Sequence, residues 1–123
     1  MRGMDIFMYE FSYCEEKNRI HIYIEGELTA TEIDDYKREL IEIIEKTKPG
    51  FTVLADSSKS SISFLENSSK LQAARDYGVK KGFKNVATVL GADAFRLHEK
   101  NPFQGIKNTF MSLKEAEAFL DGL

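Results

Sequence analysis

Seven serines fall between residues 57 and 69, directly after the run Phe51-Thr52-Val53-Leu54-Ala55-Asp56. Hydroxyls at this density, where a strand hands over to a helix N-terminus, suit an anion or a phosphoryl group. The unpaired N–H groups and the positive end of a helix dipole favour negative charge there by ~0.3–1 kcal/mol. Serine is equally a good turn and N-cap residue, so the run by itself carries both readings. The candidate residues on it are Asp56, Ser57 and Ser58 at the strand end, then Glu66, Asn67, Ser68 and Ser69.

Other reactive side chains form no constellation. His98 lies between Leu97 and Glu99 on a short helical stretch, and His21 has no partner near it in sequence. The single cysteine, Cys14, is followed by Glu15 and Glu16, which discourage a thiolate. It has no second cysteine to pair with, and no Cys/His spacing fits a metal. Gly78, Gly82 and Gly91 do not make a phosphate-binding signature. Arg75, Lys80, Lys81 and Lys84 cluster near one helix end, where they suit its negative terminus; a patch for an acidic partner is the alternative. The expectation is a chain that is not an enzyme, with no cofactor and no metal.

The elements that must position these residues follow from length and patterning. With 123 residues, 42% of them hydrophobic, residues 1–123 make one domain around one core. A net charge of −3 argues against a nucleic-acid binder. The charge is uneven: residues 1–50 hold 12 acids and 7 bases, residues 51–123 hold 8 acids and 10 bases. No apolar run approaches the ~18–20 residues that cross a bilayer, and no secretory leader follows Met1. A cytoplasmic protein that is not transmembrane is expected.

Residues 6–13 and 19–25 each alternate around a polar link, which predicts an antiparallel hairpin. Phe7, Tyr9, Phe11 and Tyr13 share one side of the first strand, and Ile20, Ile22 and Ile24 share one side of the second. If the isoleucines meet the helices, some of these aromatics lie on the other face of the sheet, as a homodimer contact or ligand surface. The alternative is that they fill the edge of the core.

Thr29-Ala30-Thr31-Glu32 is a capping box opening a helix along Ile33, Tyr36, Leu40, Ile43 and Thr47, which Pro49-Gly50 stops. Phe51 to Ala55 is a buried strand, followed by the serine loop. A second helix over about 64–77 carries Asn67, Leu71, Ala74 and Gly78 on one stripe, with Gly78 or Gly82 as its end. Residues 85–90 form a strand, 92–100 a helix and 109–111 an edge strand. Ser112-Leu113-Lys114-Glu115 caps a last helix packed through Leu113, Ala116, Phe119, Leu120 and Leu123. The order ββαβαβαβα predicts an α/β fold with about four helices. Its mixed, mostly parallel sheet has about five strands, starting with the antiparallel hairpin.

In this order and spacing the chain resembles the STAS (sulfate transporter and anti-sigma factor antagonist) domains and the SpoIIAA-like proteins over nearly its whole length. The residues that carry the resemblance are Ala94-Phe95-Arg96-Leu97 and Thr109-Phe110-Met111-Ser112-Leu113-Lys114-Glu115-Ala116-Glu117-Ala118-Phe119-Leu120. Gly26-Glu27-Leu28-Thr29 and Val53-Leu54-Ala55-Asp56 add to it. In the anti-sigma antagonists the loop after the third strand reads Asp-Ser-Ser-Gly, and a partner kinase phosphorylates its first serine. Here Glu66 takes the aspartate position and Asn67 the acceptor position. With one extra residue allowed, Ser68 becomes the acceptor. The aspartate is thus a glutamate, and the glycine is absent.

The resemblance implies a non-enzymatic regulatory module. It would dock a protein partner, such as an anti-sigma-type kinase or another regulator, through the serine loop and second helix. The SpoIIAA-like branch implies the alternative, a binder of a small apolar or lipid-like ligand with peripheral membrane contact. A solid core with an exposed Asn67/Ser68 surface would mark the first; a cavity of several hundred cubic ångströms under the loop would mark the second.

Overall fold

The two N-terminal strands close on each other through Asn18, which turns the chain in the left-handed region (φ 51°). Asparagine tolerates that region better than most residues, and its side chain is held there by the Tyr13 hydroxyl (2.6 Å) and the Lys48 carbonyl (2.9 Å). The computed structural model describes residues 8–27 and 29–123, so the expectations placed on Ile6, Phe7 and Leu28 lie outside the described residues. Its strands are β1 (Met8–Cys14), β2 (Arg19–Gly26), β3 (Thr52–Ser60), β4 (Asn85–Leu90) and β5 (Thr109–Phe110). Its helices are α1 (Ala30–Ile44), α2 (Ile62–Glu66), α3 (Gln72–Lys80), α4 (Ala92–Lys100) and α5 (Leu113–Asp121), with a 3-10 turn over Ser68–Leu71 before α3.

The fold is α/β. The five strands form one sheet in chain order, β1 antiparallel to β2 and all later pairs parallel. Each crossover from β2 onward steps to the next strand in the same direction. A common hand then puts the connecting helices on one face, and the packing agrees. Ile20, Ile22 and Ile24 of β2 share one core cluster with Tyr36, Leu40, Ile43 and Ile44 of α1, Phe64 and Leu65 of α2, Ala74 of α3 and Ala94 of α4. α5 lies on the opposite face, where Ala116 and Leu120 close over Leu54, Ala87 and Val89. There Arg19, 3% exposed, donates to Thr52 Oγ1 and to Asp121 Oδ1, each at 2.9 Å, with Glu117 at 3.7 Å. That pairing holds the Asp121 carboxyl below its usual value.

Several local expectations stand and several are corrected. Both halves of the first capping box form, Glu32 N to Thr29 Oγ1 (3.3 Å) and Thr29 N to Glu32 Oε1 (2.9 Å). α1 stops at Ile44, five residues before Pro49, because Thr47 Oγ1 donates to the Ile44 carbonyl (2.6 Å) and competes with the helical ladder. The expected single helix over 64–77 is three pieces. It breaks at Asn67, whose side chain donates to the Ser63 carbonyl (2.8 Å).

Gly78 stays inside α3, and Gly82 ends it. With φ at 101°, Gly82 donates to Val79 O (3.1 Å) while Phe83 donates to Gly78 O (3.0 Å). That pair of bonds is a Schellman motif, which a left-handed glycine permits. In α5, Ala116 and Leu120 are buried as expected, whereas Leu113 and Leu123 are exposed.

The serine loop is also corrected. β3 runs on to Ser60 because Lys59 and Ser60 pair with Glu25 and Gly26 of β2 after a register shift. Ser61 is the N-cap of α2, its hydroxyl accepting from Phe64 N (3.0 Å). What reads as a loop is therefore mostly strand and helix.

The aromatic side of β1 is settled by register. Tyr9, Phe11 and Tyr13 stand opposite Ile24, Ile22 and Ile20, so they share the helix-covered face. No aromatic patch from these residues lies on the other face. Ring centroids 5.2 Å (Tyr9–Tyr36) and 5.0 Å (Phe11–Tyr36) apart show them packed on α1 instead. Tyr9 also donates to Glu39, and burial together with that bond raises its pKa to about 12.

Candidate functional site

A cavity of about 400 Å³ lies between the helix-covered face of the sheet and the helices α1 and α3. Alternation along the strands decides its floor: Ile22 and Ile24 from β2, Val53, Ala55 and Ser57 from β3, Val86 and Thr88 from β4. Its roof includes Tyr36, Leu40 and Ile44 of α1, Ala74, Arg75 and Gly78 of α3, and residues 105–107 of the loop before β5.

The space has a simple origin in side-chain size. Ala55 and Ser57 on the central strand and Ala74 and Gly78 on α3 all line the cavity with small side chains. The bulky Phe51, Phe64, Tyr36 and Ile44 line the same space, so large and small side chains together bound it. An apolar cavity of about 150 Å³ is enough to admit benzene, and ligand pockets generally begin at about 300 Å³. This one is in that range.

Polar groups in it are few. Tyr36, Ser57 and Thr88 are 2%, 4% and 3% exposed. Their hydroxyls make no hydrogen bond to any described residue, although buried hydroxyls are nearly always paired. Burial pushes the Tyr36 phenol well above its ordinary value, so it remains a neutral O–H donor. Arg75 Nη1 donates to the Ser68 carbonyl (2.8 Å). Its guanidinium lies so close to Gly105 that a Cβ at that position would come within 2.4 Å of Nη1. Gly105 has φ at 81°, which brings its backbone there at no steric cost. No carboxylate pairs with Arg75 among the described residues, and desolvation lowers its pKa.

Among the described residues the lining contains no carboxylate, histidine or cysteine. A wall of this kind offers hydroxyl groups and the half-buried guanidinium of Arg75 to a ligand. Among the described residues no group of three or more His, Cys, Asp and Glu could hold a metal ion.

The seven candidate residues divide. Ser57 and Ser68 line the cavity; Asp56, Ser58, Glu66, Asn67 and Ser69 do not. Asp56 Oδ1 accepts from the backbone N–H (3.1 Å) and the hydroxyl (2.7 Å) of Ser58, a local bracket at the strand end. Glu66, Asn67 and Ser69 are exposed. Ser68, the expected phosphoacceptor, is 1% exposed and donates to the Gln104 carbonyl at 2.5 Å. A kinase would have to unseat that contact and pull the turn from the wall to reach it.

Arg75 was grouped by sequence with the lysines at the helix end, and Tyr36 with the ordinary core. Arg75 lies four residues after Leu71 and so borders the buried stripe of α3, a signal that spacing alone carries. Thr88 gave no signal beyond its place in an apolar strand. No helix among the described residues is long and apolar enough to cross a membrane. No protein-family model matches the chain, and a comparison with curated proteins finds no match.

Proposed function

We propose that this chain is a non-enzymatic binding module for a small, mainly apolar ligand, held between the sheet and the α1/α3 layer. The observation that carries this reading is the cavity of about 400 Å³ lined by aliphatic and aromatic side chains under the 3-10 turn. The STAS/SpoIIAA-like resemblance and a cytoplasmic setting belong to the same proposal. Scaling from the benzene-sized site, the space holds on the order of 10–16 non-hydrogen atoms.

The test is native mass spectrometry of the protein purified from its own cells, followed by calorimetric titration with 1-decanol and decanoate. A small-molecule adduct lost on denaturation, and saturable binding of either probe, are the expected results. A bare chain that takes up neither probe overturns the reading.

A second reading has its own observation. Ser58, Glu66, Asn67 and Ser69 are all exposed around the β3 end and α2, a polar rim suited to docking a regulatory protein partner without phosphorylation of Ser68. Phosphate mapped to Ser68 in the purified protein would replace this with the kinase-switched form.

A further inference from the structure

We propose that the ligand is a monocarboxylate on an apolar tail, of the size of a medium-chain fatty acid, and that Arg75 receives its carboxylate. This rests on the ligand-binding reading above and adds the chemical class. Arg75 and Tyr36 line the same cavity, within electrostatic reach of each other.

The guanidinium has five N–H donors, and one of them is engaged, by the Ser68 carbonyl. Arg75 is half-buried, and a charge partly withdrawn from water with no counter-charge carries part of the cost of burial. The molecule shows its own solution at its fully buried arginine: Arg19 meets Asp121 at 2.9 Å and Glu117 at 3.7 Å. Arg75 has no equivalent among the described residues, and its position is set from behind by Gly105 rather than by an acid.

The other polar atoms fit the same head group. Tyr36 supplies a neutral O–H donor, 2% exposed and without a protein acceptor among the described residues. Ser57 and Thr88 add two hydroxyls on the floor, likewise unpaired. One half-buried cation matches one negative charge, and the planar fork of arginine pairs with a carboxylate through two parallel bonds. Lys107, the other cationic residue of the lining, is exposed at the rim. The remaining wall is aliphatic and aromatic, as a hydrocarbon tail requires. Eight to twelve carbons plus a carboxylate fall within the roughly 10–16 atoms that the volume admits.

The experiment is calorimetric titration of the full chain at pH 7 with decanoate, 1-decanol and decyl phosphate, repeated on Arg75→Gln and Arg75→Lys. Decanoate is expected to bind at least tenfold more tightly than decanol. Arg75→Gln should weaken decanoate at least tenfold while leaving decanol within about twofold, and Arg75→Lys should fall between. Equal binding of decanoate and decanol by the unmodified chain overturns the carboxylate assignment and leaves the ligand-binding reading intact. So does tighter binding of decyl phosphate than of decanoate. If neither decanoate nor decanol binds, both fall. Should Arg75→Gln fail to fold, the three-ligand series on the unmodified chain decides alone.

Discussion

The two faces of the sheet use small residues to opposite ends. On the α5 face, Ala87 and Ala116 are both 0% exposed and belong to one tight cluster with Leu54, Val89 and Leu120. Small side chains there let the helix settle onto the strands. On the other face Ala55, Ser57, Ala74 and Gly78 surround open space. Bulky Phe51, Phe64 and Tyr36 bound the same space, and the small side chains among them leave volume instead of contact. Arg19, buried, and Arg75, half-buried, follow the same division. Arg19, on the closed face, has its carboxylates within the chain; Arg75, on the open face, has a single carbonyl among the described residues. A missing methylene thus means contact or cavity according to whether the opposing element is free to move in.

The largest effect that would sharpen this contrast is a deletion on the closed face. Leu120→Ala should cost about 2–5 kcal/mol, since well-packed neighbours relax little around the hole. Urea unfolding measures it; a loss under 1 kcal/mol would mean that α5 is not tightly seated.

Next comes a matched pair of insertions into helical alanines. Ala116→Leu overpacks the closed face and should cost about 1–3 kcal/mol. Ala74→Leu grows into the cavity, so its cost should stay under about 1 kcal/mol, while decanoate and decanol binding disappear. Equal destabilisation by the two would break the comparison. Gly105→Ala should be smaller in stability than Leu120→Ala, with a loss of about 1 kcal/mol from its left-handed backbone. The new methyl also collides with Arg75, so it should weaken decanoate more than decanol by the same titration.

Much of this architecture was legible in the residues, and the cavity was not. The strand over 85–90 and the helix over 92–100 were readable because their apolar spacing is regular and glycine or proline brackets them. The serine segment misled because hydroxyl-rich composition reads as loop. Its actual conformation is set by Glu25 and Gly26, which lie more than thirty residues earlier and pair with Lys59 and Ser60. The aromatics of β1 were ambiguous for a related reason, since a strand's facing depends on a register that only pairing defines. Ala55, Ser57, Ala74 and Gly78 look like any small residues in a strand and a helix. Whether they meet or stand apart depends on the spacing between two layers, which no single segment encodes.

The smallest expected effect is electrostatic and belongs to the closed face. The pKa of Asp121 lies below its ordinary value of 3.8 because Arg19 and Lys17 hold the charged form. The stability it adds is therefore complete above about pH 4 and fades as pH falls through the lowered value. In the acid-unfolding curve, Asp121→Asn should flatten that stretch and leave the curve near neutrality with the same slope. An unchanged acid limb would show the pair to be inert.

The order of strands in the sheet also bears on how the chain reaches this shape. Each strand pairs with its immediate successor, so the sheet can assemble by adding one crossover at a time. The bonds from Lys17 and Arg19 to Asp121, by contrast, join residues 104 and 102 positions apart. Contacts that close so long a segment are favoured only after the intervening chain is ordered. These ion pairs are thus expected to close late, after α5 has packed on its near neighbours in β3, β4 and β5, and to act on the lifetime of the native state more than on the speed of reaching it.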